Sequence, residues 1–167
     1  DALLTLPLPA DVIAAIADRL RDLDGLGRAV LTRAAALGGD PFTLAVLRAV
    51  SGIDDATLID VLDDAVSQSL LTQSNGGYQF AHPLIRQVLY GELHTTTRQR
   101  CHVDIAKALL RADAGSADAP VVAIAHHLIA AGPQADAADV VAAAQQAGDR
   151  AFASASWHDA ARFYRAA

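Results

Sequence analysis

A mainly α-helical fold with one short β-hairpin is predicted for this chain of 167 residues, on three observations. Apolar residues recur at helical spacing through most of the length, beginning with Val12, Ile13, Ile16 and Leu20. Alanine is abundant and aromatic residues make up only 5%, a mixture that suits closely packed helices better than a sheet of β-branched residues. The helical period breaks once, at "LLTQSNGGYQF", where two short strands flank Asn75-Gly76, the strongest short hairpin signal.

In chain order, Pro7 and Pro9 precede a first helix from about Asp11, with Val12, Ile13, Ile16, Ala17, Leu20 and Leu23 on one face. "LDGLG" interrupts it. A second helix carries Leu26, Ala29, Val30, Ala34 and Leu37 and stops at Gly38-Gly39. Asp40-Pro41 is expected to open a short third helix with Leu44, Leu47 and Val50, ending at Ser51-Gly52. The fourth, "DDATLIDVLDDAVSQS", is apolar at Leu58, Val61, Leu62, Ala65 and Val66. After the hairpin, His82-Pro83 opens a helix whose apolar face is Leu84, Ile85, Val88 and Leu89. Helices, hairpin, helix is the order of a winged-helix unit, expected here over residues 1–93.

A linking helix is expected over 94–116, capped by Thr96 or Thr97, with Ile105, Ala106, Leu109 and Leu110 inside it, and "DAGSADAP" forms a linker of turn residues. Residues 117–167 hold three more helical segments, around 121–131, 137–147 and from Trp157 onward. Gly148, then Trp157, Ala160, Tyr164 and Ala167, follow the spacing of a tetratricopeptide helix pair. In such a pair small residues let the helices approach, and Trp157 and Tyr164 would fill the gap between neighbouring repeats. Ala144 and Ala151 stand where that pattern often has tryptophan and tyrosine, so the match is partial. A repeat buries its faces against neighbours. With no methionine anywhere, position 1 included, the chain is expected to be a piece of a longer protein.

Charge and chemistry narrow the function. Net charge is −6, which gives no general field for nucleic acid or an acidic membrane. The helix before the hairpin, where a DNA-recognition helix would sit, carries Asp54, Asp55, Asp60, Asp63 and Asp64 and no basic residue. Direct DNA binding by this segment is therefore not expected. Arg98 and Arg100 could hold phosphate, though ion pairs with nearby acids are the simpler use. The longest apolar run, "PVVAIAHHLIAA", is too short to span a bilayer, and "DALLTLPLPADV" lacks the basic start of a signal peptide. Cys101 is the single cysteine, which suits a reducing cytoplasm. Lys107, the single lysine, lies in "IAKALL", far from any glycine loop, so there is no phosphate-binding loop. His126 and His127 are adjacent and point about 100° apart on a helix, poor geometry for a shared metal. No catalytic or metal-binding constellation is expected, and no enzyme activity.

The remaining signal is "YQFAHPLIRQVLY", in which His82, Arg86 and Tyr90 fall four residues apart. Either His82 serves only to enter the helix, or it reports on a ligand docked from outside the chain. With "LPADVIAAIADRL", "RAVLTRAAALGGDPFTLAVLRAVSG", "RQRCHVDIAKAL" and "IAHHL", this stretch resembles the region downstream of the ATPase in bacterial signal-transducing (STAND-type) regulators. These include the MalT-like and large LuxR-type transcriptional regulators and their cyclase-fused relatives. The resemblance implies a winged-helix domain after a nucleotide-binding module, then helical repeats serving as sensor or scaffold. It implies ATP or ADP held by the parent chain, with His82 contacting the phosphates of bound ADP and Arg86 and Tyr90 in supporting roles. The implied partners are the upstream nucleotide-binding domain and further helical repeats or a protein partner. The rival expectation is a stand-alone helical scaffold for protein partners with no nucleotide link.

Overall fold

The computed structural model describes residues 10–38, 41–74, 76–112 and 120–167. Among them are nine α-helices and one two-stranded antiparallel sheet. They divide into two compact units, one holding residues up to Leu47 together with Ile53–Leu93, the other Arg48–Gly52 with His94–Ala167.

Along the first unit α1 spans Ala10–Arg21, α2 Gly25–Leu37, α3 Leu44–Ser51, whose residues from Arg48 onward group with the second unit, and α4 Asp55–Ser67. Strands β1, Leu71–Ser74, and β2, Gly77–Phe80, precede α5, Pro83–Gly91. Ile16 and Leu20 of α1 are buried, with Ala17 half-buried. Pro7 and Pro9, and the side chains of Val12 and Ile13, lie outside the described residues. Asp24 caps α2 by accepting from Gly27 N–H at 2.6 Å, and Gly38 ends it at φ 77°, a left-handed conformation that favours glycine.

The buried stripe of α2 is Gly27, Val30, Leu31, Ala34, Ala35 and Ala36, rotated by one residue from the face expected. Leu26 is 40% exposed and Ala29 is exposed, while Val30 and Leu31, both fully buried, are the large side chains of the inward face.

The start of α3 also differs from expectation. Asp40 lies outside the described residues, and the helix begins only at Leu44, with Thr43 Oγ1 accepting from Val46 N–H at 3.3 Å. Phe42 is drawn instead to the sheet. Its N–H donates to the Tyr78 carbonyl and its carbonyl accepts from Tyr78 N–H, both at 2.8 Å. Its ring lies 6.2 Å from Tyr78 and 6.1 Å from Phe80. Burying this ring outweighs the helix-starting tendency of the proline before it.

The hairpin register pairs Leu71 with Phe80 and Ser74 with Gly77, leaving a two-residue turn; Gly76 has φ 78° and Asn75 lies outside the described residues. Leu58, Leu62 and Ala65 of α4 join Leu71, Tyr78, Phe80, Leu84, Ile85 and Leu89 in one core. α5 packs on α1 and α2, and α4 on α2 and β1.

In the second unit α6 spans Thr95–Ala112, α7 Val121–Ala131, α8 Ala137–Ala153 and α9 Trp157–Tyr164. The start of α6 precedes Thr96 and Thr97. Arg98 N–H already bonds the His94 carbonyl at 2.9 Å, so both threonines sit in the first turn rather than at the cap. Residues 113–119 of the expected linker lie outside the described residues. Asp136 caps α8 by accepting from Ala138 N–H at 2.8 Å. α6 packs on α7, α7 on α8 and α8 on α9. The core between them is rich in alanine, with Ile124, Leu128 and Phe163 as its large members. No helix among the described residues is long and apolar enough to cross a membrane.

Candidate functional site

The first turn of α5 is built by its own sequence. Pro83 occupies the opening helical position, where a missing N–H costs nothing. His82 has extended φ and ψ of −146° and 138°, and its Nδ1 accepts from Leu84 N–H at 3.2 Å. An accepting Nδ1 leaves the proton of the neutral ring on Nε2. The side chain is exposed, so this second nitrogen is a donor on the surface at a helix start, where anions are favoured.

Beneath it, α5 is tied to its neighbours. Arg86 Nε donates to the Ala35 carbonyl in the last turn of α2 at 3.0 Å. Its guanidinium also lies against Gly38, where an added Cβ would stand 3.2 Å from one terminal nitrogen. A cation at that helix end satisfies an orphan carbonyl and matches the dipole. Tyr90 is half-buried against the core. Arg28 adds a tie that sequence reading missed, donating to the Leu20 carbonyl at the end of α1 at 2.9 Å and to both Glu92 oxygens at 2.7 and 2.8 Å. Arg28 and Glu92 are 64 residues apart, so no local pattern announces the pair. Being well exposed, it is worth about 0–1 kcal/mol.

The neighbouring acidic helix is solvated. Asp54 accepts from Thr57 N–H at 3.0 Å and from Thr57 Oγ1 at 2.8 Å, and these hydrogen bonds, the backbone one first, hold its carboxyl below the usual range. Asp55, Asp60, Asp63 and Asp64 are exposed. Among the described residues no group of three or more histidines, cysteines and carboxylates is placed to hold a metal ion.

No protein-family model, no curated protein and no solved structure matches this chain. The site therefore rests on its geometry.

Of the five repeat-pattern residues, Gly148 and Tyr164 come together, Ala160 is buried, Ala167 is exposed, and Trp157 stands apart. A Cβ on Gly148 would lie 2.5 Å from Tyr164 Cε1. The Tyr164 hydroxyl donates to Asp149 Oδ1 at 2.6 Å, which raises its pKa above the usual tyrosine value. Trp157 is 60% exposed and meets the exposed Phe152 edge-to-face at 4.9 Å. On a helix of about 100° per residue the buried arc of α9 centres between Ala160 and Phe163, leaving Trp157 and Tyr164 at its flank. Trp157 thus fills no gap among the described helices. Phe163, 1% exposed, fills the interior instead, and sequence reading missed it because it lies outside the repeat pattern.

Gly148→Ala tests the close approach. An alanine in a helix normally adds about 1 kcal/mol over glycine; here the clash with Tyr164 is expected to cancel the gain. Thermal unfolding should show no rise in Tm, and a rise of several degrees would mean that the ring swings aside without cost.

Proposed function

We propose that this chain is a non-catalytic regulatory segment of a multidomain, ATP-dependent signal-transduction regulator of the bacterial cytoplasm. In this reading the first unit is a winged-helix domain, α6 is a linking helix and α7–α9 are the start of tetratricopeptide-like repeats. Together they couple the nucleotide state of a preceding ATPase module to oligomerisation and to output, most simply transcriptional control. The order of helices, hairpin and helix supports the winged-helix reading, and so does Phe42, which adds a one-residue third strand to β2. The close contact of Gly148 with Tyr164 and the buried Ala160 support the repeat reading.

The observation that carries the proposal is His82: Nδ1 holds its own helix while the ring stays exposed, with Nε2 as a donor. One donor beside a helix start suits a reporting contact to a phosphate oxygen of ADP held by another domain. It would not bind a nucleotide unaided. Arg86 and Tyr90 hold the platform, so that loss of the phosphate contact shifts a closed-to-open balance.

The test is ADP affinity and basal output of the full-length protein as wild type, His82→Ala and His82→Asn. Asparagine is a good cap but lacks the Nε2 donor. Both variants are expected to bind ADP about tenfold more weakly, the loss of one hydrogen bond to a charged group, with raised basal output. Only His82→Ala should also lose about 1 kcal/mol of stability. Wild-type ADP affinity in His82→Asn would reduce His82 to a cap.

That outcome would favour the second reading, a helical scaffold for a protein partner. The exposed Phe152, Trp157 and Tyr164 are the observation behind it. Large aromatic groups at a surface are common anchors of protein interfaces.

A further inference from the structure

We propose that His102 and His127 form a proton-sharing clasp between α6 and α7, and that a second proton on the pair loosens this helical unit. The proposal stands independently of the nucleotide reading. The two Nδ1 atoms are 2.9 Å apart and the ring centroids 5.1 Å apart at 33°. Both side chains are buried, at 6% and 7% exposure. Around them Cys101, Ile105 and Ala106 are buried on α6 and Ile124, Ala125 and Leu128 on α7.

The geometry dictates the proton count. At 2.9 Å one Nδ1 must donate and the other accept. A first added proton goes to Nε2 of the donor ring and keeps the bond, now strengthened by charge. A second has only the accepting Nδ1 left. It breaks the bond, sets N–H against N–H and puts two cations into one buried seam. The clasp therefore holds at zero or one added proton and fails at two.

Among the described residues of this unit no carboxylate is buried. Arg98, one turn before His102, is the charge acting on it. Asp104 and Lys107 of α6 are exposed, as is Arg48 of the α3 end grouped with this unit. On α7, His126 is exposed and receives a hydrogen bond from Arg162 of α9, whose NH2 lies 2.6 Å from its Nε2. α8 buries only alanines and a glycine, α9 buries Ala160 and Phe163, and the 3-10 turn Gly132–Gln134 carries no titratable group. Burial, then Arg98, moves the pKa of His102 below 6.5. The sign follows. As pH falls below about 6.5 the unfolded chain takes up protons first. The stability contributed by the clasp is complete above that pH and is lost as pH falls through the folded value.

The experiment compares thermal unfolding of wild type and His127→Gln at pH 7.5 and pH 5.0. Glutamine can still hydrogen bond to His102 but takes no proton. The fall in Tm on acidification is expected to be about 4 °C larger in the wild type, and an equal fall in both would overturn the proposal. Imidazole NMR of the wild type covers the case in which the variant does not fold. His102 and His127 should titrate as one coupled pair whose last step lies below about 6.5. Two independent single steps near that value would overturn it. One equivalent of Zn²⁺ should leave both rings unchanged; binding to both, with a raised Tm, would replace the shared proton by a metal.

Discussion

Phe163→Ala is expected to destabilise the α6–α9 unit by about 3–5 kcal/mol, the usual cost of emptying a buried phenylalanine site. The unit has little to collapse into the void. Phe163 is 1% exposed, and its neighbours in the core include Ala106, Ala125, Ala143, Ala147, Ala151 and Ala160. Alanines have no rotamers with which to refill a cavity. The ring also takes the edge of His126 at 5.1 Å and lies under the Arg162 guanidinium at 5.3 Å, contacts that alanine loses. Because whole domains are stable by only about 5–15 kcal/mol, the variant should populate an open form of this unit at room temperature. Urea unfolding and hydrogen exchange of α8 and α9 check this. A loss below about 1 kcal/mol would mean that the helices close over the gap.

Arg86→Ala is expected to cost about 2 kcal/mol in the first unit, at the level of a hydrogen bond to a charged group with its acceptor left part-buried. The Ala35 carbonyl would lose its donor, and the end of α2 would lose its cation. Arg86→Lys should recover only part of this, because an ammonium keeps the charge but has no Nε fork to place in the same bond. Urea titrations of the three proteins give the order: wild type, then lysine, then alanine. Equal midpoints for all three would show that water replaces the contact. If α5 is also the platform on which His82 reports, Arg86→Ala should weaken ADP binding in the full-length protein without touching the phosphate donor itself.

The sequence by itself determined what depends on near neighbours along the chain. Gly38 ends α2 because a left-handed residue costs glycine little, and Gly76, also left-handed, lies between the two strands. His82-Pro83 starts α5 because the proline needs no N–H partner and the histidine supplies a local acceptor. The acidic face of α4 was legible for the same reason. Each follows from side-chain type and a spacing of three or four residues.

Only the tertiary structure decided which atoms meet across long separations. Phe42 left the expected helix to bridge Tyr78, because burying its ring against the hairpin outweighs a local preference of a few tenths of a kcal/mol. Arg28 found Glu92, and Arg86 found the particular carbonyl of Ala35 rather than merely a place on α5. Phe163 became the filler of the second core while Trp157 of the same helix stayed outside, a choice made by the rotation of α9 against α8. His102 and His127, 25 residues apart, share a hydrogen bond only because α6 and α7 pack side by side. Local pattern reports the face and the cap; rotation and register, set by packing many side chains at once, select the partner.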